Sequence, residues 1–136
     1  MNEREPSSRA RHARSSVDRA AVGRMGEAAA ADYLTRLGYR MLERNWRCRF
    51  GEIDLIADDG GTLVFVEVRS RTNPTRFGTA IEAITDRKRR QVREVAAYYL
   101  MKRQAGKDTS VRCDAVAVTF RSDGTVSDLK HVPGAF

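Results

Sequence analysis

At 136 residues, with 41% hydrophobic and 32% charged content, the chain is sized for one independently folding domain. No apolar run approaches the ~20 residues of a membrane span, and the N-terminus lacks the apolar segment of a secretory signal, so a cytoplasmic location without a membrane partner is expected. The formal net charge is +7, of which residues 1–20 carry only +2, so the remainder is basic in its own right and an anionic partner, nucleic acid first, is expected.

Residues 1–18 are rich in Arg, Ser and Glu with almost nothing apolar, and read as a disordered basic arm. From about Arg19 to Leu37 the spacing predicts a helix that Gly38 ends in a left-handed cap. Gly23, Gly26, Ala30, Tyr33, Leu34 and Leu37 fall on one side of it, and Arg24, Asp32, Thr35 and Arg36 on the other. Glu27 lies at the edge of the first group, the only charge on the face that should meet a sheet. Gly23 and Gly26 would let that face approach closely. Tyr39–Cys48 reads as a first strand, and Gly51–Ala57 and Thr62–Ser70 as a hairpin around Asp58-Asp59-Gly60-Gly61.

After a loop over Thr72–Gly78 containing Pro74, a second helical region covers roughly Thr79–Arg103. It is interrupted near Thr85-Asp86, either of which can serve as an N-cap. Val92, Val95, Ala96, Tyr99 and Leu100 form its apolar stripe. Val111–Phe120 is apolar on both faces, as in a buried inner strand, and a turn at Ser122-Asp123-Gly124 leads to a final strand near Thr125–His131. The order α-β-β-β-α-β-β predicts a single α/β domain over 19–136, with a mixed sheet flanked by helices. Cys48 and Cys113 are too few for a disulfide scaffold or a Cys-rich zinc site, and both read as buried free thiols. His12 and His131 have no neighbour at metal-ligand spacing and receive no role.

The hairpin carries the chemistry. Asp54 and Glu67 are separated by twelve residues and each lies inside an apolar β-forming run, where an ionised carboxylate needs a base or a metal. With a four-residue loop Ala57 faces Thr62, Asp54 lies opposite Phe65, and Glu67 is its diagonal neighbour on the same face, with Arg69 one step further. A slip of one residue would separate the pair. An isolated pair of this kind is ordinarily structural, matched to nearby bases.

Gly23-x-x-Gly26-Glu27-x-x-Ala30, Gly51-Glu52-Ile53-Asp54-Leu55-Ile56 and Phe65-Val66-Glu67-Val68-Arg69-x-Arg71 together resemble the YraN family of small, largely uncharacterised bacterial proteins. The resemblance covers about residues 20–136, including Asp114-x-Val116-x-Val118 and the ending His131-x-x-x-Ala135-Phe136. That family is similar to the PD-(D/E)XK nucleases and, among them, to archaeal-type Holliday-junction resolvases, which implies a restriction-endonuclease-like αβββαβ core. It also implies Asp54 and Glu67 as metal-binding acids, Glu27 as the helix-borne acid completing the site, and Mg²⁺ or Mn²⁺ as cofactor. The position usually held by lysine is Arg69, which stays charged at any working pH and can stabilise charge but not act as a general base. Lys88 lies in line with the buried stripe of the second helix, so its amine can point to the sheet in compensation. The preferred reading of Arg87-Lys88-Arg89-Arg90 is nevertheless a solvated face.

Two functions are expected from this pattern. One is a metal-dependent endonuclease on structured DNA; the other is a DNA- or RNA-binding module of the same fold with weak or no cleavage. In both, Arg69, Arg71, Arg76, Arg87, Lys88, Arg89 and Arg90 would neutralise backbone phosphates, with DNA favoured over RNA. A third reading, a protein-binding domain whose acids are structural, ranks below them. The likeness to resolvases also raises a homodimer, although no stripe in the sequence marks its interface.

Overall fold

A computed structural model describes residues 8–72 and 84–136, with side chains from Arg19 onward. Helix α1 spans Ser8–Arg36 and is followed by β1 (Arg40–Cys48), β2 (Gly51–Asp59) and β3 (Thr62–Thr72). Helix α2 (Asp86–Lys102), β4 (Ser110–Phe120) and β5 (Val126–Val132) complete the chain. The five strands lie in the order β1-β2-β3-β4-β5, antiparallel except for the parallel β3–β4 pair that α2 bridges. This is the expected single-domain α/β fold with a mixed sheet and the αβββαβ succession of a nuclease-like core. No helix among the described residues is long and apolar enough to cross a membrane.

The two helices cover opposite faces of the sheet. Ala30, Ala31 and Leu34 of α1 pack with Leu55, Val64, Val66, Val116 and Val118. Val92, Val95, Ala96 and Tyr99 of α2 pack with Ile53, Ile56, Leu63 and Phe65. The strand alternation of β3, with Val64 and Val66 to α1 and Leu63 and Phe65 to α2, sets Glu67 and Arg69 on the α2 side. Thr85 is the N-cap of α2, its hydroxyl accepting from the Lys88 amide at 3.1 Å. Residues 79–83, where the helical region was expected to begin, and the loop around Pro74 lie largely or wholly outside the described residues.

Three sequence expectations change. Helix α1 begins at Ser8 rather than about Arg19, so residues 8–18 of the expected arm are helical, while residues 1–7 lie outside the description. Apolar periodicity could not report this extension, because residues 8–18 have no apolar stripe. They do contain Ala and Arg without Gly or Pro, which suffices for helical backbone. The hairpin turn is shorter than expected: Asp59 pairs with Thr62, leaving only Gly60 (φ 58°) and Gly61 (φ 102°) in the loop. Both take the left-handed conformation that two-residue hairpin turns require, and the Asp58 carboxylate accepts from the Gly61 amide at 2.9 Å. The register therefore moves by two residues, and Phe65 pairs with Ile56 rather than Asp54. A shift of two preserves the face of every side chain.

The third change concerns the glycines. A Cβ on Gly26 would stand 2.8 Å from the Ser70 Cβ and closer still to its hydroxyl, so α1 meets β3 nearly backbone to side chain there. A Cβ on Gly23 would meet nothing within 4 Å, so close approach belongs to Gly26 alone of the two.

His131, given no role above, is structural. Asp114 is fully buried and accepts from Arg112 Nε (2.8 Å) and the Gly134 amide (2.9 Å), and lies 2.8 Å from His131 Nε2. Arg112 also donates to the Tyr39 hydroxyl at 2.6 Å. Burial alone would raise the Asp114 carboxyl, but the bonds from Arg112, Gly134 and His131 outweigh it and hold it below its ordinary range. The network ties the C-terminal strand to β4 and to the end of α1. Both cysteines are free; Cys113 is buried, which pushes its thiol up to about 11, and Cys48 is half-buried.

The Gly26 contact gives a direct test. Alanine is the better helix former by about 1 kcal/mol. Gly26→Ala should nonetheless destabilise the fold by about 1–3 kcal/mol in urea unfolding, because α1 must move off β3. Gly23→Ala should be neutral or stabilising in the same measurement.

Candidate metal and phosphate site

Strands β2 and β3 stay paired from Asp59↔Thr62 to Leu55↔Val66, where their ladder ends. One step further, past the end of the ladder, come Asp54 and Glu67, near enough that the Glu67 charge acts on the Asp54 carboxyl. Where backbone pairing stops, a side chain takes over: Asp54 Oδ2 accepts from the Val68 amide at 2.7 Å. The opposite edge of β2 is distorted as well. Ile53 packs on the α2 side and Leu55 on the α1 side, although a regular strand would place both on one face. Between the Arg44↔Leu55 and Trp46↔Ile53 pairs stands Asn45, in a left-handed conformation at φ 51°, which asparagine tolerates better than most residues. Asp54 thus occupies a kink in the sheet.

Asn45 and Glu52 belong to the site, and neither was singled out from sequence. In its hydrogen-bonded orientation the Asn45 amide nitrogen donates to Glu52 Oε1 (3.0 Å) and Glu27 Oε2 (3.1 Å). Glu27 reaches this point because Gly26 brings α1 against β3. Glu52 is also paired with Arg47 at 2.8 Å. An asparagine followed by tryptophan in a strand was the available signal for Asn45, since αL geometry there is worth a check.

The acids act on one another. Burial, then the Glu67 charge, push the Asp54 carboxyl from its ordinary 3.8 up to about 7, against the Val68 hydrogen bond, with Glu27 and Glu52 adding smaller upward effects. Glu67 is also raised, by burial first, with Lys88 and then Arg69 opposing. Lys88 Nζ lies 3.0 Å from Glu67 Oε2 and donates to Gln91 Oε1 at 3.3 Å. The preferred reading of Lys88 as part of a solvated run is therefore corrected. Its position in line with Val92 outweighs its charged neighbours, and the amine turns inward to a buried carboxylate.

Arg69 shares the α2 side with Glu67, as expected. It lines a cavity of about 690 Å³ with Thr85, Arg87, Lys88, Arg90 and Gln91. Its Nε is buried and has no hydrogen-bond partner among the described residues. Arg87 and Arg90 border the same cavity, whereas Arg89 is directed to Asp86 at 3.9 Å. Arg71 is half-buried on β3, and Arg76 lies outside the described residues.

A divalent cation can be tested against this donor set. Two adjacent carboxylates offer only oxygen, the donor hard cations prefer, and carboxyls raised by burial, with the Glu67 charge adding at Asp54, gain when positive charge arrives. Among the described residues no group of three or more acidic, His or Cys side chains is arranged to hold a metal. The expected triad is thus an adjacent pair, Asp54 and Glu67, with Glu27 held by Asn45 within electrostatic reach of Asp54. Two carboxylates suit Mg²⁺, which commonly takes one or two from the protein and the rest from substrate phosphate and water.

Fold and site together define a small nuclease-like α/β domain with paired carboxylates, a lysine and a basic cavity at the split between β2 and β3. The family model "Uncharacterised protein family UPF0102" matches residues 26–118, and the chain belongs to that family, the YraN family. It is 49% identical over 116 residues to a UPF0102 protein of Pelotomaculum thermopropionicum, covering 85% of this chain and 94% of that one. A UPF0102 protein of Moorella thermoacetica is likewise 49% identical over 115 residues, covering 84% and 93%. That of Mycobacterium tuberculosis is 43% identical over 122 residues, covering 87% and 94%.

The raised Asp54 carboxyl has a consequence for stability. Its folded value near 7 exceeds its ordinary value of 3.8, so the folded state binds the extra proton between those limits. Stability from this group therefore falls as pH rises from about 4 to 7 and is level above. Asp54→Asn should stabilise the protein at pH 8 by on the order of 2 kcal/mol, allowing for partial solvent exposure, and the gain should vanish near pH 4. Urea unfolding at both pH values measures it.

Proposed function

We propose that this protein is a divalent-metal-dependent nuclease that hydrolyses phosphodiester bonds in structured DNA. The observation that carries the reading is the Lys88 amine, 3.0 Å from Glu67 and directed from α2 to the carboxylate pair, where Arg69 occupies the usual lysine position. A lysine delivered from the neighbouring helix restores what the strand lacks. An amine can orient water and exchange a proton with it, whereas a guanidinium keeps its proton.

Each side chain then has a task. Asp54 and Glu67 would hold Mg²⁺ or Mn²⁺, which when bound lowers the pKa of water and neutralises a scissile phosphate. The Val68 amide fixes one oxygen of Asp54, and Lys88 fixes one oxygen of Glu67, so both acids are oriented in advance. Gln91 accepts from Lys88 and keeps its amine at the site. Arg69, which lines the basic cavity, would donate to phosphate oxygen and stabilise charge that develops there. Arg87 and Arg90 meet backbone phosphates, which makes binding salt-sensitive and largely independent of sequence. Glu27 and Glu52 add negative potential that draws the cation.

A binding module without cleavage is the second reading, favoured by Arg69 and by the ion pair that already neutralises Glu67. Cleavage of linear, branched and single-stranded DNA in Mg²⁺ or Mn²⁺ separates the two. Asp54→Asn and Glu67→Gln should each lose cleavage by about a hundredfold or more, with DNA affinity kept in EDTA. Lys88→Met should lose cleavage while calorimetric Mn²⁺ binding persists. Salt-sensitive DNA binding with no cleavage on any substrate, and no Mn²⁺ binding with DNA present, would leave only the module.

A further inference from the structure

Beside the carboxylate site is a surface that the nuclease reading does not use. Phe50, in the tight turn between β1 and β2, and Met101, near the end of α2, are large apolar side chains that the core leaves exposed, Met101 by 64%. They border a shallow cavity of about 320 Å³ with Arg49, Glu94, Ala97 and Tyr98. The Phe50 and Tyr98 rings lie 5.5 Å apart at 67°, and Trp46 stands 6.2 Å behind Tyr98. The Arg49 guanidinium lies 4.9 Å from the Phe50 ring and 5.9 Å from that of Tyr98, and the Lys102 amine 5.7 Å from Tyr98. Aromatic rings at a surface, interleaved with cations, offer a stacking face and phosphate contacts together.

Two links join this surface to the carboxylate site. Gln91 accepts from Lys88 through Oε1 and donates through Nε2 to the Phe50 carbonyl at 3.4 Å. Glu94 borders both this cavity and the basic one lined by Arg69 and Lys88. A strand whose phosphates follow Arg69, Arg87 and Arg90 would therefore pass Phe50 next. A paired base has both ring faces covered within the duplex, so only an unpaired base can stack here.

We propose that Arg49, Phe50, Tyr98 and Met101 form a stacking platform for unpaired nucleobases, so that the protein acts where single-stranded nucleic acid adjoins the carboxylate site. The placement beside that site rests on the nuclease reading, but stacking itself does not. Phe50 supplies the ring face, and Arg49 and Lys102 supply charge to the adjoining phosphates. Glu94, the one acid on the rim among the described residues, can accept from exocyclic amino groups.

The test is binding in EDTA by the full chain, using a single-stranded oligonucleotide with one 2-aminopurine and the same sequence as a blunt duplex. The single strand should bind more tightly, with 2-aminopurine fluorescence quenched. Phe50→Ala should weaken single-strand binding about tenfold and relieve the quenching, leave duplex affinity unchanged, and keep the wild-type melting temperature within a few degrees. Phe50→Trp should restore both binding and quenching. Equal single-strand affinity and quenching in wild type and Phe50→Ala overturns the platform. So does a Phe50→Ala protein that changes from dimer to monomer in sedimentation, since a second copy would then cover the surface. The assay contains no metal, so failure of cleavage leaves the platform standing. Metal-dependent cleavage with unquenched binding removes the platform and leaves the nuclease.

Discussion

Two carboxylates forced together where adjacent strands part are the constraint around which this molecule is arranged. Asp54 and Glu67 are both deprived of water, which raises both carboxyls, and the Glu67 charge adds to burial in holding Asp54 near 7. A sheet that minimised its own energy would not place them so. They are tolerated because the Val68 amide and the Lys88 ammonium each take one carboxylate oxygen, and because the pair sits at a kink, not within a continuous ladder. Local strain of this kind, with like charges and a left-handed Asn45, gathers where function requires it.

The rest of the fold supplies that arrangement. The parallel β3–β4 pair forces a crossover, and the crossover helix is what carries Lys88 over the face bearing Glu67. Thr85 caps that helix one turn before the lysine, fixing where its first turn begins. On the opposite face Gly26 removes a side chain so that α1 can bring Glu27 to the same split. At the far edge, the buried Asp114 with Arg112, His131 and Tyr39 anchors the last strand. Glu67, Arg69 and the basic residues of α2 thus meet on one side of the sheet at its parted strands, and α1 adds Glu27 from the other.

Element order, strand spans, both amphipathic faces and the Asp54–Glu67 juxtaposition were legible in the sequence, because each follows from a period of two or 3.6 residues. The hairpin register was misjudged by two residues and still preserved the site, since side-chain facing depends only on parity. Lys88 was less legible: a basic run conceals the one member that faces inward, and only its alignment with Val92 indicates it. Asn45 and Glu52 could not be found by period at all. They matter through a break in strand regularity, which no repeat announces. The extension of α1 to Ser8 was missed for the converse reason, as helical propensity without an apolar stripe leaves no periodic trace.

The electrostatic strain on Asp54, buried beside Glu67, can be read at a single atom. Carbon-detected NMR titration of the Asp54 side-chain carboxyl, in the metal-free protein, should give a midpoint near pH 7. A midpoint near the ordinary 3.8 would mean that the two acids are neither buried together nor in contact, and would contradict such strain.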